Sequence, residues 1–413
     1  MNPSRSHSLP PDPSLDGSDA AARPAPSSKE SGLTVRMLQS VREVAQPTWD
    51  SLVSDDSSPF VEWTWLDALE DSGCVGPGTG WSPAHLSLWR GDDLVAVAPS
   101  YVKTHSEGEF VFDWTWAEAA ERLRTAYYPK IVVAVPFTPA TGDRVLAPPG
   151  GARTQAIRTI ASVGRELCSH FGASGFHVLF PREAEANAWR AEGYLRRDGV
   201  QFHWFRDGAR TWDDYLARFP SKKRNRIKRE LRDVRECGLE VRTLDPDEIT
   251  VELARIMYSY YTSTVEKHGM WGRLYLNERF FETIVSRFRH RLAWVVARDR
   301  HTGELLGGAF NVVQGRRLYG RYWGASAPGG SGIPFLHFAV CYYEGIRTCI
   351  ERGIDVFEPG AGGEHKLARG FVPTRTYSVH WIRDRRLRAA LEPWLERERE
   401  HVTAFVEGTQ DEG

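Results

Sequence analysis

Apolar residues recur along this chain with two periods. Phe335, Phe338, Ala339, Tyr342, Ile346, Cys349 and Ile350 keep the three-to-four spacing of a helix with one buried face. Pro334 suits a first helical position, and Gly353 behind Arg352 marks the stop. The run IDVFEP then predicts a short strand ended by Pro359. Ile157, Ile160, Ala161, Gly164, Leu167, Cys168 and Phe171 predict an earlier helix of the same kind, and GASGFHVLFP supplies its stop and strand. HLSLWRGDDLVAVAPSYVK and LAWVVARDRHTGELLGGAFNVVQGRRLYGRYWG predict strands, with RDRHTGELLGG as a hairpin turn. Trp63 and Trp65 fit an amphipathic helix; Trp204 and Trp381 fit strands.

The pattern occurs twice. AEGYLRRDGVQFHWFRD (191–207) aligns without a gap to ARGFVPTRTYSVHWIRD (368–384), an offset of 177 residues. Ala191/Ala368, Gly193/Gly370, His203/His380, Trp204/Trp381, Arg206/Arg383 and Asp207/Asp384 are identical. Six matches in 17 positions exceed the roughly one expected by chance. Each half is predicted to run β–α–α–β–β–β–α–β–α–β, an α/β unit around a mixed sheet. Residues 1–33, rich in Ser, Pro, Ala and Asp, are expected to be a disordered leader. Residues 34–207 and 208–407 are expected to be the two domains.

Charge narrows the partners. Among 413 residues, 53 are basic and 54 acidic, so the whole molecule has no field to recruit nucleic acid or an anionic membrane. Such binding needs a local patch, and SKKRNRIKRELRDVRE (221–236) is one. There Ile227, Leu231 and Val234 form a narrow apolar stripe, and Lys222, Lys223 and Arg224 begin a basic excess suited to phosphates. A solvated helix face with pairs such as Arg226–Glu230 is the plainer alternative. Five scattered cysteines, with no CxxC, fit a reducing compartment and a cytoplasmic location. No apolar run reaches the ~20 residues of a membrane span.

Chemistry-bearing residues gather where the second half's last strands end. In FEPGAGGEHKLARGF (357–371), Glu358, Glu364 and His365 are candidate bases for an amine proton. Lys366 and Arg369 are candidates to hold a substrate carboxylate or phosphate. A salt-bridged loop is the alternative. Gly329, Gly330, Ser331 and Gly332 precede the helix from about Pro334, whose N-terminal N–H groups suit an anion. Tyr319 and Arg321 are candidate cleft-liners on the strand before them. In the first half His105, Glu109, Tyr128 and Lys130 are candidate acceptor-binding residues; strand alternation would put Glu109 and Asp113 on one face. No Gly-x-Ser-x-Gly elbow, Walker loop or HExxH occurs, and His365 has no second ligand at i+4, so no metal is expected.

The stretches FVEWTWLDALEDSG, KTHSEGEFVFDWTWA, YYPKIVVAVPFTPATGDRVL, GRYWGA, LHFAVCYYEGI and FEPGAGGEHKLARGFVPT resemble the FemAB-like predicted N-acyltransferase family, of the peptidoglycan biosynthesis/recognition type. The resemblance implies two tandem GNAT-like domains. It implies transfer of an acyl or aminoacyl group, from acyl-CoA or aminoacyl-tRNA as co-substrate, to an amine such as that of a peptidoglycan precursor. It also puts donor phosphates at Gly329–Gly332 and tRNA against the basic helix over 222–235, with no cofactor tightly bound. The chain departs from the family at Gly362, where glutamine is expected. It also lacks a clean Arg/Gln-x-x-Gly-x-Gly/Ala pyrophosphate signature, which weighs against acetyl-CoA. The alternative from another class is a non-catalytic GNAT-fold protein that recognises a cell-wall precursor or peptide.

Overall fold

The computed structural model describes residues 32–55, 57–267, 273–326 and 332–411. The first half contributes β1 (Thr34–Leu38), β2 (Trp81–Pro83), β3 (His85–Arg90), β4 (Asp93–Ala98), β5 (Ser100–Lys103), β6 (Lys130–Val133), β7 (Gly175–Leu179) and β8 (Leu195–Phe205). The second contributes β9 (Leu239–Thr243), β10 (Val295–Asp299), β11 (Leu305–Gln314), β12 (Arg317–Ala325), β13 (Val356–Glu358) and β14 (Val372–Ile382). With the helices Val251–Lys267, Glu278–Phe288 and Glu344–Arg352 and the 3₁₀ helix Glu364–Arg369, the second half follows the predicted order. In the first half Pro99, which has no N–H to donate, separates β4 from β5.

β1, β3 and β4 form a small sheet; the other eleven strands form one sheet in the order β2-β5-β6-β7-β14-β8-β13-β12-β11-β10-β9. The two halves exchange their last strands. β14 lies between β7 and β8, and β8 pairs with β13. The repeated segments are therefore each other's antiparallel partners. Leu195 and Val372 are repeat equivalents, as are His203 and His380, and the observed pairs are Leu195↔His380 and His203↔Val372. Gly199 pairs with Thr376, its own equivalent, so a local two-fold axis passes through that pair.

A second repeat register appears upstream. Gly164/Gly345, Cys168/Cys349, Gly172/Gly353 and Phe176/Phe357 are each 181 residues apart. The glycines have a packing reason. A Cβ on Gly164 would lie 2.7 Å from the Phe176 ring, and one on Gly345 would lie 2.5 Å from the Phe357 ring. Both helices can approach their strands only because these positions lack a side chain.

The core also crosses the expected boundary near 207. Trp65, on the helix Trp63–Asp71, packs on Phe280 at 5.2 Å and Phe288 at 5.7 Å, and Phe60 packs on Tyr319 at 5.2 Å. Around this shared core, Asp67 pairs with Arg287 at 2.5 Å and Glu62 with Arg291 at 3.0 Å.

Two local expectations change. Residues 104–113 are a loop rather than a strand; Gly108, Phe110 and Phe112 all take positive φ, which no strand permits. The helix expected from Pro334 begins at Leu336, after Phe335 with φ 60°, and passes through a π-helical turn at Ala339–Tyr343. Such turns insert one extra residue and re-aim the side chains beyond them.

Candidate active site

β12 outruns its neighbour β13. β12 and β13 pair in parallel only at Arg317↔Val356, Leu318↔Phe357 and Tyr319↔Glu358. β13 then ends, while β12 continues through Ala325, bonded on its other side to β11. From Gly320 onward one edge of β12 has no strand partner among the described residues. Gly320 at the apex is closely packed: a Cβ there would lie 3.1 Å from Pro359 Cα.

Half-buried rings line this opening. Trp323 stacks on His337 at 4.3 Å; His337 lies 5.9 Å from the His365 ring, and Phe338 lies 5.7 Å from it. Tyr342 OH and His365 Nε2 are hydrogen-bonded at 2.8 Å. His365 is otherwise exposed. Partial burial, then the Arg369 and Lys366 charges, hold its pKa below the ordinary imidazole value, so the ring is neutral at pH 7. Deeper burial takes His337 down to about 4. Lys366 is buried, and its ammonium donates to Gly360 O at 2.7 Å; burial lowers its pKa to about 8.

The other expected residues separate into two groups. Glu358 is 2% exposed and is tied to Arg317 Nη1 at 2.8 Å and the Thr141 N–H at 3.2 Å, with His203 Nε2 at 3.8 Å. It clamps a first-half loop to the second-half strand. Arg369 is equally buried; it pairs with Glu230 at 2.8 Å, donates to His365 O at 2.9 Å, and lies 3.3 Å over the Phe338 ring. Its charge is thus matched, and it positions the His365 turn. Tyr319 is buried against Phe60, and the Arg321 guanidinium donates to Phe137 O across the seam. Glu364 is exposed in the first turn of the 3₁₀ helix. Gly332 is described and exposed; Gly329, Gly330 and Ser331 lie outside the described residues. Of the basic helix Ser221–Glu236, Lys223 reaches this site and donates to Leu367 O at 3.0 Å; Arg224 is half-buried and Lys222 exposed.

The first-half candidates form a separate, enclosed cluster. Lys130 Nζ, with no exposure, donates to Asp113 at 2.5 Å, Glu109 at 2.8 Å and Ser106 at 2.9 Å. Ser106 bonds Tyr128 OH at 2.8 Å. Burial, only partly offset by Lys130, pushes Glu109 up to about 7. Burial acts the same way on Asp113, but there the Lys130 charge wins and the pKa falls. His105 is apart: it lines a cavity of about 330 Å³ at the seam, with Trp81, Phe137, Arg273 and Tyr275.

Sequence reasoning did not single out Trp323, His337, Phe338 and Tyr342 for the site, because helical spacing marks Phe338 and Tyr342 as core. It treated Glu230 as the i+4 partner of a surface Arg226. That bond exists at 3.0 Å, but Glu230 is 1% exposed and also accepts from Arg369 and from Tyr343 OH at 2.5 Å.

A duplicated mixed α/β unit of this order, with parallel strands β12 and β13 parting beside a helix start, is a tandem GNAT-like fold. The crystal structure of FemX shares that fold with a TM-score of 0.51 at 12% identity, over 84% of this chain and 98% of FemX. The C-terminal domain (DUF2156) of a putative lysylphosphatidylglycerol synthetase from Agrobacterium fabrum is 10% identical, with a TM-score of 0.48, covering 85% and 95%. A tandem GNAT protein from the clavulanic acid biosynthesis pathway is 14% identical, with a TM-score of 0.41, covering 85% and 98%. No curated protein matches the chain by sequence. The chain belongs to the FemAB-like family, described as peptidoglycan biosynthesis/recognition, whose model matches residues 40–413. Among the described residues no helix is long and apolar enough to cross a membrane.

Proposed function

We propose that this protein is an N-acyltransferase that moves an acyl or aminoacyl group from an activated donor to an amine, with a peptidoglycan precursor as the favoured acceptor. The observation that supports the proposal is the unpaired edge of β12 beyond Tyr319, where Trp323 packs on His337 and His337 lies 5.9 Å from an exposed His365 held by Tyr342, with Lys366 in the same turn. An unpaired strand edge offers alternating N–H and C=O groups to an amide-containing donor. The amine nitrogen attacks the donor carbonyl, forming the C–N bond. His365 takes the ammonium proton directly or through water, and Lys366 offers a donor to the developing oxyanion. The C–S bond of a thioester or the C–O bond of an aminoacyl ester then breaks, and the leaving group takes up a proton. No covalent enzyme intermediate is needed. The family's description supports the cell-wall acceptor, and the seam cavity beside His105 offers one place for it. Lys222, Lys223 and Arg224 suit the phosphates of either donor.

Thermal denaturation with acyl-CoAs, aminoacyl-tRNA and precursor peptides tests this, since a ligand of the native state raises the melting temperature. Stabilisation by one donor, with transfer lost in His365→Ala, is the expected result. Stabilisation by a precursor alone, with no turnover with any donor, would support the recognition protein instead.

A further inference from the structure

β12 carries a bulge where its edge becomes unpaired. Gly320 pairs with Asn311 and Tyr322 with Phe310, so Arg321 has no partner residue on β11. A bulge re-aims the side chain it releases, and bulges are frequent beside active sites. Here two consecutive side chains turn to the first half. The Arg321 guanidinium and the Tyr322 hydroxyl donate to one acceptor, Phe137 O, whereas Trp323 packs on His337.

The Arg321 guanidinium is left incomplete. It is half-buried, 5.5 Å from both the Phe60 and Tyr322 rings. Its Nε is enclosed and has no hydrogen-bond partner. Among the described residues Arg369 and Arg399 also have such an Nε, but Glu230 compensates the first and Glu396 the second. Arg321 has no ion-pair partner among the described residues. Glu358, whose charge bears on it, is committed to Arg317 at 2.8 Å. Arg144 shows how the adjoining first-half loop treats a structural guanidinium: all three of its nitrogens donate, to the carbonyls of Leu179, Gly142, Asp143 and Ala140. Thr141 Oγ1, in the same loop, is a second enclosed polar atom without a partner. Enclosed polar groups are nearly always bonded, and a buried charge without a counter-charge is costly. Together these groups point to an anionic ligand.

We propose that Arg321 is the binding group for a ligand carboxylate at the seam between the halves. One guanidinium matches one carboxylate, in charge and in its paired planar donors. That the carboxylate belongs to the amine acceptor rests on the transfer reading; the site itself does not.

Thermal denaturation of the full chain with the monoanion N-acetylalanylalanine tests this, with its C-terminal amide and inorganic phosphate as controls. A saturable rise in melting temperature is expected for the carboxylate, and none for either control at the same concentration. Arg321→Met is expected to weaken the response at least tenfold, with Arg321→Lys, which keeps the charge without the paired donors, in between. Without ligand, Arg321→Met should melt no lower than the wild type, because Phe137 O keeps the Tyr322 bond and an uncompensated charge is gone. His365→Ala should leave the response unchanged. No saturable response, an equal response to the amide or to phosphate, or a full response in Arg321→Met would overturn the proposal. A lower melting point or failure to fold in ligand-free Arg321→Met would overturn it too, by making the guanidinium a structural clamp. A carboxylate response with no transfer from any donor would sink the acyltransferase reading and leave this site standing; transfer without a carboxylate response would sink the site alone.

Discussion

Removing the Glu230 carboxylate is expected to damage this protein more than its place on a charged helix suggests. Three donors converge on it: Tyr343 OH at 2.5 Å, Arg369 Nη2 at 2.8 Å and Arg226 Nε at 3.0 Å. They are not equal. The Arg226 side chain is 58% exposed, so its bond is a screened surface pair worth about 0.2–1 kcal/mol. The Arg369 side chain is 2% exposed, and Glu230 is its one carboxylate partner among the described residues. Glu230→Ala leaves that guanidinium buried without a counter-charge, which costs about 3–5 kcal/mol. Arg226→Ala should cost under about 1 kcal/mol. Glu230→Leu combined with Arg369→Leu removes both charges, and buried pairs replaced this way are often neutral. The double variant should therefore be more stable than Glu230→Leu alone, with a coupling energy of about 2–3 kcal/mol. Urea denaturation of the four corners of the cycle gives the number. Additive losses, or equal losses in Glu230→Ala and Arg226→Ala, would refute the reasoning. If Glu230→Leu fails to fold, recovery of folding in the double variant carries the same test.

Two further outcomes are expected. Gly345→Val and Gly164→Val should each cost at least about 2 kcal/mol, because the Phe357 and Phe176 rings they strike are wholly buried; Gly408→Ala, in open space, should be near neutral, and a tolerated valine at either core glycine would contradict the packing. Glu109 has its folded pKa raised by burial from 4.5 to about 7, so the stability it contributes is complete below about pH 4.5 and is lost as pH rises through 7. Glu109→Gln, fixed neutral, should gain on the wild type between pH 5.5 and 8.5 in urea midpoints, and a constant or shrinking difference would reverse the sign.

Much of the architecture was legible because it repeats. The 17-residue duplication and the helical and strand periods announce two similar units, and the strand order of the second half follows. The exchange of β8 and β14 was not legible, since alternation shows which face of a strand is buried but not which strand lies beside it. The pairing of Glu109 and Asp113 was expected from a strand, yet a loop with left-handed Phe110 and Phe112 delivers both carboxylates to Lys130. The turn at 357–371 stood out by composition. Its division of labour depends on contacts distant in sequence: Glu358 is committed to Thr141 and Arg317, Arg369 to Glu230 and Lys366 to Gly360 O, while His365 stays exposed on its Tyr342 bond.

The two halves differ where the repeat changes register, and that difference is why transfer is proposed in the second. Phe176 and Phe357 are 181 residues apart, but Ala191 and Ala368 only 177, so the second half is four residues shorter in between. β13 ends one residue after Phe357, whereas β7 runs three past Phe176; the nine-residue helix Glu183–Ala191 is replaced by the six-residue 3₁₀ helix. In the first half the chain fills its own gap. Gly142 N–H bonds Phe180 O at 3.1 Å, and Arg144, fully buried, donates to Leu179 O at 2.6 Å, closing the space beyond β7. In the second half β13 stops early while β12 runs on, and in place of a full helix the shortened turn leaves His365 exposed above a buried Lys366. The shortening falls where the β12 edge is left unpaired, and the first half, closed on itself, meets the second there through Phe137 O, which accepts from Tyr322 OH at 3.2 Å, and the Thr141 N–H, which donates to Glu358 at 3.2 Å.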